Sequence, residues 1–257
     1  MPGRLDGRKL LVVGAGTRPT DDPDAPMGNG RAISVLAARE GAAVACADRD
    51  KDAAEQTAQL VRDERGEAVV VTGDVADEAD CTRIVEDAHV ALGGLDALVC
   101  NVGIGGGRGL EGTSATDWDA VFAVNTRAHF LLCRSALPLM ADEGSIVLIS
   151  SLAGLKPGSR LPAYDASKAA LAGLCRHVAL EGARRNVRAN VVAPGLVDTP
   201  LGRLATQGRP GRANTRIPLG RQATAWEIAA PVVFLLSSDA AYITGQILAV
   251  DGGLSTV

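Results

Sequence analysis

Lys9-Leu10-Leu11-Val12-Val13-Gly14-Ala15-Gly16, resumed at Gly28-Asn29-Gly30 after a stretch dense in Asp and Pro, decides the fold of this chain. A short apolar run that ends in glycines and leads into the amphipathic segment Gly30–Glu40 reads as a buried strand feeding a helix. The unit recurs along the chain. Apolar runs at Ala43–Ala47, Ala68–Val71, Asp96–Cys100, Ser145–Ile149, Val187–Val192 and Gln246–Val250 alternate with helical patterns. Those patterns cover Lys51–Arg65, Glu78–Leu92, Ala115–Met140, Ala163–Arg185 and Ala225–Leu236. Continuous apolar runs of this length predict strands buried on both faces. Strict alternation with helices implies an α/β fold, a doubly wound seven-stranded parallel sheet with helices on both faces. Gly41, Gly66 and Gly93 stand where left-handed C-caps would end three helices. With no linker, repeat or low-complexity tract, residues 1–257 read as a single domain.

Two segments break the rhythm, Arg18–Met27 after the first strand and Leu201–Arg216 after the sixth. Both are expected to be loops at the carboxyl edge of the sheet, where doubly wound folds bind ligands.

Composition narrows the function. The net charge is −4 with no basic run, which gives no support to nucleic acid or an anionic membrane as partner. The apolar stretches are strand-length, too short to span a bilayer, and Met1–Asp6 lacks the apolar core of a signal peptide. Five cysteines without a C-x-x-C pair read as buried, reduced thiols of a cytoplasmic protein. His89, His129 and His177 lack paired ligand spacing, so no metal is indicated.

Glycines between the first strand and first helix let backbone approach a pyrophosphate. Gly14, Gly16, Gly28 and Asn29 are the candidates, since the helix N-terminus supplies free N–H groups and a positive dipole end. Asp48 ends the second strand. A carboxylate there would accept hydrogen bonds from an adenosine ribose and repel a 2′-phosphate, which favours NAD over NADP. Arg49 and Arg18 could reverse that preference by pairing with a phosphate, so NADP stays open.

Further along lies Tyr164-Asp165-Ala166-Ser167-Lys168, with Ser151 upstream. Tyr and Lys four apart on a helix share a face. An ammonium near a phenol favours the phenolate, pulling its pKa down from about 10 and suiting it to exchange a proton with an alcohol or ketone.

These residues, taken in order, resemble the short-chain dehydrogenase/reductase family over essentially the whole chain. Gly14, Gly28 and Gly30 are similar to its TGxxxGxG motif, and Asp74-Val75 to its adenine-contacting pair. Cys100-Asn101-Val102-Gly103 stands where NNAG is usual, and Asn125 resembles the catalytic asparagine. Ser151, Tyr164 and Lys168 fit the other catalytic positions. Pro194-Gly195, with Val197 and Thr199 following, resembles the PG motif and the nicotinamide-binding threonine. The Tyr-x-x-x-Lys spacing separates the chain from the enoyl-reductase branch, which spaces the two more widely. Three departures stand out: Val13 for threonine, Cys100 for asparagine, and a Gly14-to-Gly28 separation ten residues longer than usual.

The resemblance implies a Rossmann-like NAD(P)-binding domain acting on a small secondary alcohol or ketone. Tyr164 would be the acid/base, and Lys168 would lower its pKa and hold the nicotinamide ribose. Ser151 would bind the substrate oxygen, and Asn125 would anchor a water leading from Lys168 to solvent. Leu201–Arg216 would form the substrate lid, whose Arg203, Arg209, Arg212 and Arg216 either hold an anionic group or lie in solvent. Leu152, Leu155 and Leu161 line a pocket or serve packing. A 3-oxoacyl-carrier-protein reductase and a silent nucleotide-binding regulator are the competing functions. The long insert would fold over the cofactor phosphates or extend toward a neighbouring subunit; Asp21, Asp22 and Asp24 in it lack the pattern of a calcium loop. Relatives imply a homotetramer, and apolar Leu131, Leu132, Leu171 and Leu174 read as surplus to one helix face and available to a partner copy.

Overall fold

Every apolar run becomes a strand of one sheet: β1 (Lys9–Val13), β2 (Ala43–Asp48), β3 (Ala68–Thr72), β4 (Ala97–Cys100), β5 (Ser145–Ile149), β6 (Arg188–Pro194) and β7 (Ile247–Val250). Their order is β3-β2-β1-β4-β5-β6-β7, and each neighbouring pair is parallel. The helices are α1 (Asn29–Arg39), α2 (Lys51–Asp63), α3 (Glu78–Leu92), α4 (Ala115–Phe122), α5 (Ala128–Leu139), α6 (Pro162–Gly182), α7 (Pro200–Thr206) and α8 (Ala225–Leu236). The computed structural model describes residues 3–22, 24–207, 211 and 215–256.

Side chains alternate across the sheet and fill two apolar layers. Leu11, Val13, Leu98, Ile146 and Leu148 pack with residues of α3, α5 and α6 on one face. Leu10, Val12, Val44, Val99 and Val147 pack with α1 and α8 on the other. Burial on both faces holds for the five central strands but not for β3 and β7, which are largely half-buried. An edge strand has a neighbour on one side only, and the helices above it cover it incompletely. Among the described residues no helix is long and apolar enough to cross a membrane.

Local chemistry sets where helices begin. Asp50 and Asp77 accept from backbone N–H groups of the first turns of α2 and α3. Ser114 with Asp117, and Thr224 with Glu227, close capping boxes at α4 and α8. Each such cap contributes about 1 kcal/mol.

Four expectations need correction. Gly93 does end α3 in the left-handed region, but after α2 that conformation falls to Arg65, at φ 65°, and not to Gly66. Gly66 is needed for space instead, because a Cβ there would lie 2.8 Å from Val61 Cγ1. The single helix expected over Ala115–Met140 is interrupted by a π-turn at Ala123–Arg127. Leu201–Arg216 is not wholly loop, since α7 occupies its first part with Thr199 as N-cap. Leu131, Leu132 and Leu171 lie in the chain's own core and Leu174 packs against it, so they are no surplus.

The order places a switch point between β1 and β4, whose following connections cross the sheet in opposite directions. Gly14, Asn101, Ser151 and Gly195 all follow the carboxyl ends of the neighbouring strands β1, β4, β5 and β6.

Candidate active site

The groove begins where β1 meets α1. Gly14 has φ +83°, and a Cβ on it would press 3.0 Å from Val102 Cγ1. A Cβ on Gly30 would fall 1.9 Å from the Gly14 carbonyl oxygen, so α1 meets the glycine turn backbone to backbone. Asn101 Nδ2 donates to that carbonyl at 2.8 Å. The N-cap of α1 is Gly28, which has no side chain to satisfy the first turn. Its own N–H donates to Thr17 Oγ1 at 2.9 Å, pinching the base of the insert. Asn29 Oδ1 is buried with no hydrogen-bond partner. Helix N–H groups without intrahelical acceptors and a positive dipole end fit the pyrophosphate of a dinucleotide, whereas the Asn29 amide oxygen calls for a hydrogen-bond donor.

Asp48 fixes the next part of the groove. Its carboxylate accepts from Gly16 N at 2.9 Å and Asp50 N at 3.1 Å. Arg31, half-buried beside it, donates to Thr57 Oγ1 and Gln56 Oε1 at 3.0 Å. Burial lowers the pKa of Arg31 and the Asp48 charge opposes that shift. A cavity of about 530 Å³ extends past Arg49 and Asp74. Asp74 is exposed and Val75 buried, the latter's carbonyl accepting from Cys81 Sγ at 3.3 Å. Arg83, on the same cavity, is tied to Asp80 and to the Thr72 carbonyl. Arg49 is exposed and makes no ion pair among the described residues. A larger cavity of about 610 Å³ lies between Asp198 and the start of α8, but Arg221 and Glu227 on its wall are paired with each other.

The π-turn carries Asn125, which is fully buried. Widening a helix by one residue turns a side chain that would follow the α-helical stripe toward a new direction, and such turns occur often at functional sites. Asn125 Oδ1 accepts from Ile104 N at 2.8 Å, and its Nδ2 donates to Ile104 O at 2.9 Å and Ser167 Oγ at 3.0 Å. Ser167 Oγ donates in turn to the Tyr164 carbonyl at 2.8 Å. Asn125 thereby ties the exit of β4 to the first turns of α6.

Lys168 is buried on α6 and donates to the carbonyls of Ile149 at 2.9 Å and Val102 at 3.2 Å. Burial pushes its pKa down to about 8. Gly103 leaves room for it: a Cβ there would stand 3.0 Å from Nζ. Ser151 follows two residues after Ile149 and caps a short 3-10 turn, its Oγ accepting from Ala153 N at 3.2 Å. That acceptance leaves the Ser151 hydroxyl hydrogen to donate elsewhere. The turn rests on α6 at Lys168, since a Cβ on Gly154 would fall 2.7 Å from the Lys168 carbonyl carbon. Tyr164 is half-buried on the same helix, one turn before Lys168.

One turn past Asn125, His129 is fully buried and neither ring nitrogen completes a hydrogen bond. Burial, reinforced by the Lys168 charge, pushes its pKa down to about 3. All five cysteines are buried and unpaired. Burial raises Cys46 and Cys175 to about 12 and Cys81 to about 11, so none of these is a nucleophile at neutral pH.

At the other wall, Gly195 packs against Asp251, and Val197 bridges to Ala223. Thr199 is buried and accepts from Gly202 N at 3.1 Å. Arg203 on α7 chelates Asp198 at 2.7 and 3.0 Å and also binds Asp22 of the insert at 2.7 Å. It is therefore engaged by two carboxylates. Arg216 is exposed; Arg209 and Arg212 lie outside the described residues. Leu152 and Leu161 are half-buried and Leu155 exposed. Among the described residues no group of acids, cysteines or histidines could hold a metal ion.

The structure thus links Asn125 through Ser167 to the Tyr164 carbonyl, places Lys168 one turn further along the same helix with its own bonds to Val102 and Ile149, and sets Ser151 on the adjoining turn. Sequence reading missed Ser167 and Ser150, whose Oγ donates to the Lys168 carbonyl at 2.7 Å, along with Arg31 and His129. Ser167 lies inside the quoted Tyr164–Lys168 stretch, and its position one residue before the lysine was the available signal.

A family model described as enoyl-(acyl carrier protein) reductase matches residues 25–255. The chain is 36% identical over 265 residues to the 2-(S)-hydroxypropyl-CoM dehydrogenase 3 of Xanthobacter autotrophicus, covering 100% of both. It is similar to a crystal structure described as a short-chain dehydrogenase/reductase from Burkholderia xenovorans, with TM-score 0.90, 37% identity and 99% of each chain covered. A structure described as a 2-deoxy-d-gluconate 3-dehydrogenase from Agrobacterium tumefaciens, with bound NADP, gives TM-score 0.87, 34% identity and coverage of 100% of this chain and 99% of that one.

Proposed function

The chain belongs to the short-chain dehydrogenase/reductase family of NAD(P)-dependent oxidoreductases, and on that footing we propose that it interconverts a small secondary alcohol and its ketone, with Tyr164 as acid/base and NAD as the preferred cofactor. The observation that carries this reading is the chain Ile104–Asn125–Ser167–Tyr164, which ties α6, the helix that carries both Tyr164 and the buried Lys168, to the segment leaving β4. A relative whose name specifies a 2-hydroxypropyl group supports a secondary alcohol as substrate class.

A bound nicotinamide ring supplies the hydride acceptor or donor. In the oxidative direction, Tyr164 as phenolate takes the proton from the substrate hydroxyl. Ser151 directs its free hydroxyl hydrogen at the substrate oxygen, where negative charge develops. Lys168 has two of its three N–H bonds on carbonyls, which leaves one donor for a ribose hydroxyl and keeps positive charge on the tyrosine's face of α6. Gly14, Gly16, Gly28 and Asn29 would hold the pyrophosphate, and Asp74-Val75 the adenine. Asn101, Gly103, Pro194, Gly195, Val197 and Thr199 would frame the nicotinamide half. The preference for NAD rests on Asp48, whose charge would repel a 2′-phosphate; Arg49 is the residue that would oppose it.

The test is a panel of secondary alcohols and ketones, including a β-ketoacyl thioester, followed at the nicotinamide absorbance with NAD(H) and NADP(H). Tyr164→Phe is expected to remove turnover while leaving cofactor binding intact. Turnover unchanged by that substitution overturns the mechanism, and equal use of NADP(H) overturns the Asp48 argument. A cytoplasmic homotetramer completes the proposal. Exposed Trp118, Phe130 and Leu180, on α4, α5 and α6, are apolar groups that partner copies would cover, and light scattering measures the mass.

A further inference from the structure

The insert between Gly16 and Gly28 is anchored at three points. Its neck is closed by the Gly28 N to Thr17 Oγ1 bond at 2.9 Å. On its returning arm, Met27 packs against the core layer under α1 and α8. Its outgoing arm ends at Asp22, which accepts from Arg203 Nη1 at 2.7 Å. Arg203 lies on α7, at the start of the segment that the family resemblance assigns to the substrate lid, and is itself oriented by the two-pronged contact with Asp198.

These anchors lie on opposite sides of the groove. The neck follows β1 and the lid follows β6, and β4 and β5 lie between them in the sheet. Three strand spacings amount to about 14 Å. The five residues Arg18–Asp22 reach at most about 17 Å, shortened by the turn in which Asp22 N donates to Thr20 Oγ1 at 3.2 Å, and the long Arg203 side chain completes the span to Asp22. An arm on that path would pass over Asn101–Gly103 and Ser151, which follow the carboxyl ends of β4 and β5. The acids of the insert are poor partners for a pyrophosphate, and Asp22 is already held by Arg203, which it shares with Asp198. The contact thus suits a bridge over the groove better than a phosphate ligand.

We propose that the insert is a strap closed over the bound dinucleotide and latched to the substrate lid by Asp22–Arg203, so that it slows cofactor release and ties that release to lid opening. This rests on the dinucleotide reading of the groove. Asp22 and Arg203 act as positioning residues and touch neither hydride nor proton.

The experiment is stopped-flow displacement of NADH, or of NADPH if that binds better, from the full chain carrying Asp22→Asn. Asp21→Asn serves as control, with the same charge change at an exposed neighbour that pairs with nothing among the described residues. Asp22→Asn is expected to raise the dissociation rate about two- to fivefold, the range of an exposed ion pair, with Asp21→Asn matching wild type. Arg203→Gln should give the same rise, and the double variant no more than either alone. Identical dissociation rates in wild type and both single variants overturn the strap. An equal rise in the two aspartate variants overturns the latch, since it would be a general charge effect. If wild type binds neither cofactor, the dinucleotide reading fails, an outcome distinguishable from failure of the strap.

Discussion

Asn125 and Ile104 hold each other by two hydrogen bonds, Ile104 N to Asn125 Oδ1 at 2.8 Å and Asn125 Nδ2 back to Ile104 O at 2.9 Å. The asparagine thus acts as a surrogate strand for a segment that has left the sheet. Asn125→Ala would leave both backbone groups without their partner at a cost of about 1–3 kcal/mol each. The expected outcome is an unfolding free energy lowered by a total of about 2–6 kcal/mol, read as a lower urea midpoint with an unchanged slope. Turnover should fall as well, because Val102, which positions Lys168, lies two residues upstream.

Gly30 admits no side chain. Its Cβ would lie 1.9 Å from the Gly14 carbonyl oxygen, and neither partner can rotate away because both are backbone. Gly30→Ala is expected to separate α1 from the glycine turn at a cost of about 1–3 kcal/mol or more. The result should be at least a tenfold rise in the NADH dissociation constant, read from the fluorescence of the bound cofactor.

His129 makes stability pH-dependent. Its pKa is about 3 in the folded chain against an ordinary value near 6.5. Between those values the unfolded chain binds a proton that the folded chain does not. Stability therefore falls as pH drops from about 6.5 toward 3, by up to about 1.4 kcal/mol per pH unit. His129→Leu, which removes the titrating group from a buried site, should flatten this acid limb. Urea midpoints at pH 7, 5.5 and 4.5 measure it, and parallel curves for the two proteins would contradict the assignment.

Arg188 is a buried cation in β6 with no acidic partner among the described residues. It donates to Leu235 O at 2.8 Å and Ser237 O at 3.0 Å at the end of α8. Positive charge at a helix C-terminus is favourable, and the carbonyls there have no intrahelical donors. If the arginine is lost, Leu235 O keeps the Ser145 hydroxyl at 2.9 Å and Ser237 O keeps the Ala240 N–H at 3.3 Å, so the loss is that of the two charge-assisted bonds. Arg188→Met is expected to destabilise by about 1–3 kcal/mol, with thermal unfolding as the measurement and activity at low temperature preserved.

Much of the fold was legible because strand and helix periods are local properties. The runs at Lys9–Val13 and Ser145–Ile149 and the helices at Glu78–Leu92 and Ala225–Leu236 have the observed bounds. The π-turn was hidden, since one extra residue in Ala115–Met140 barely disturbs an apolar pattern read over many turns. The leucines at 131, 132 and 171 were misjudged for a related reason. A helix wedged between a sheet and a neighbouring helix buries more than one stripe, and sequence alone does not say which neighbours it has.

The sequence by itself determined the doubly wound α/β architecture, the glycine turn and the Tyr164/Lys168 pair, because each depends on residues close together in the chain. Only the tertiary structure decided which of those residues meet. Parallel pairing in the order β1-β4-β5-β6 brings Gly14, Asn101, Ser151 and Gly195 to one edge. Burial between β4, β5 and α6 lowers the Lys168 pKa. The same folding sets Asp22 against Arg203, 181 residues away, across the mouth of the groove. Contacts of that separation are fixed by sheet order and loop reach, which no local pattern encodes.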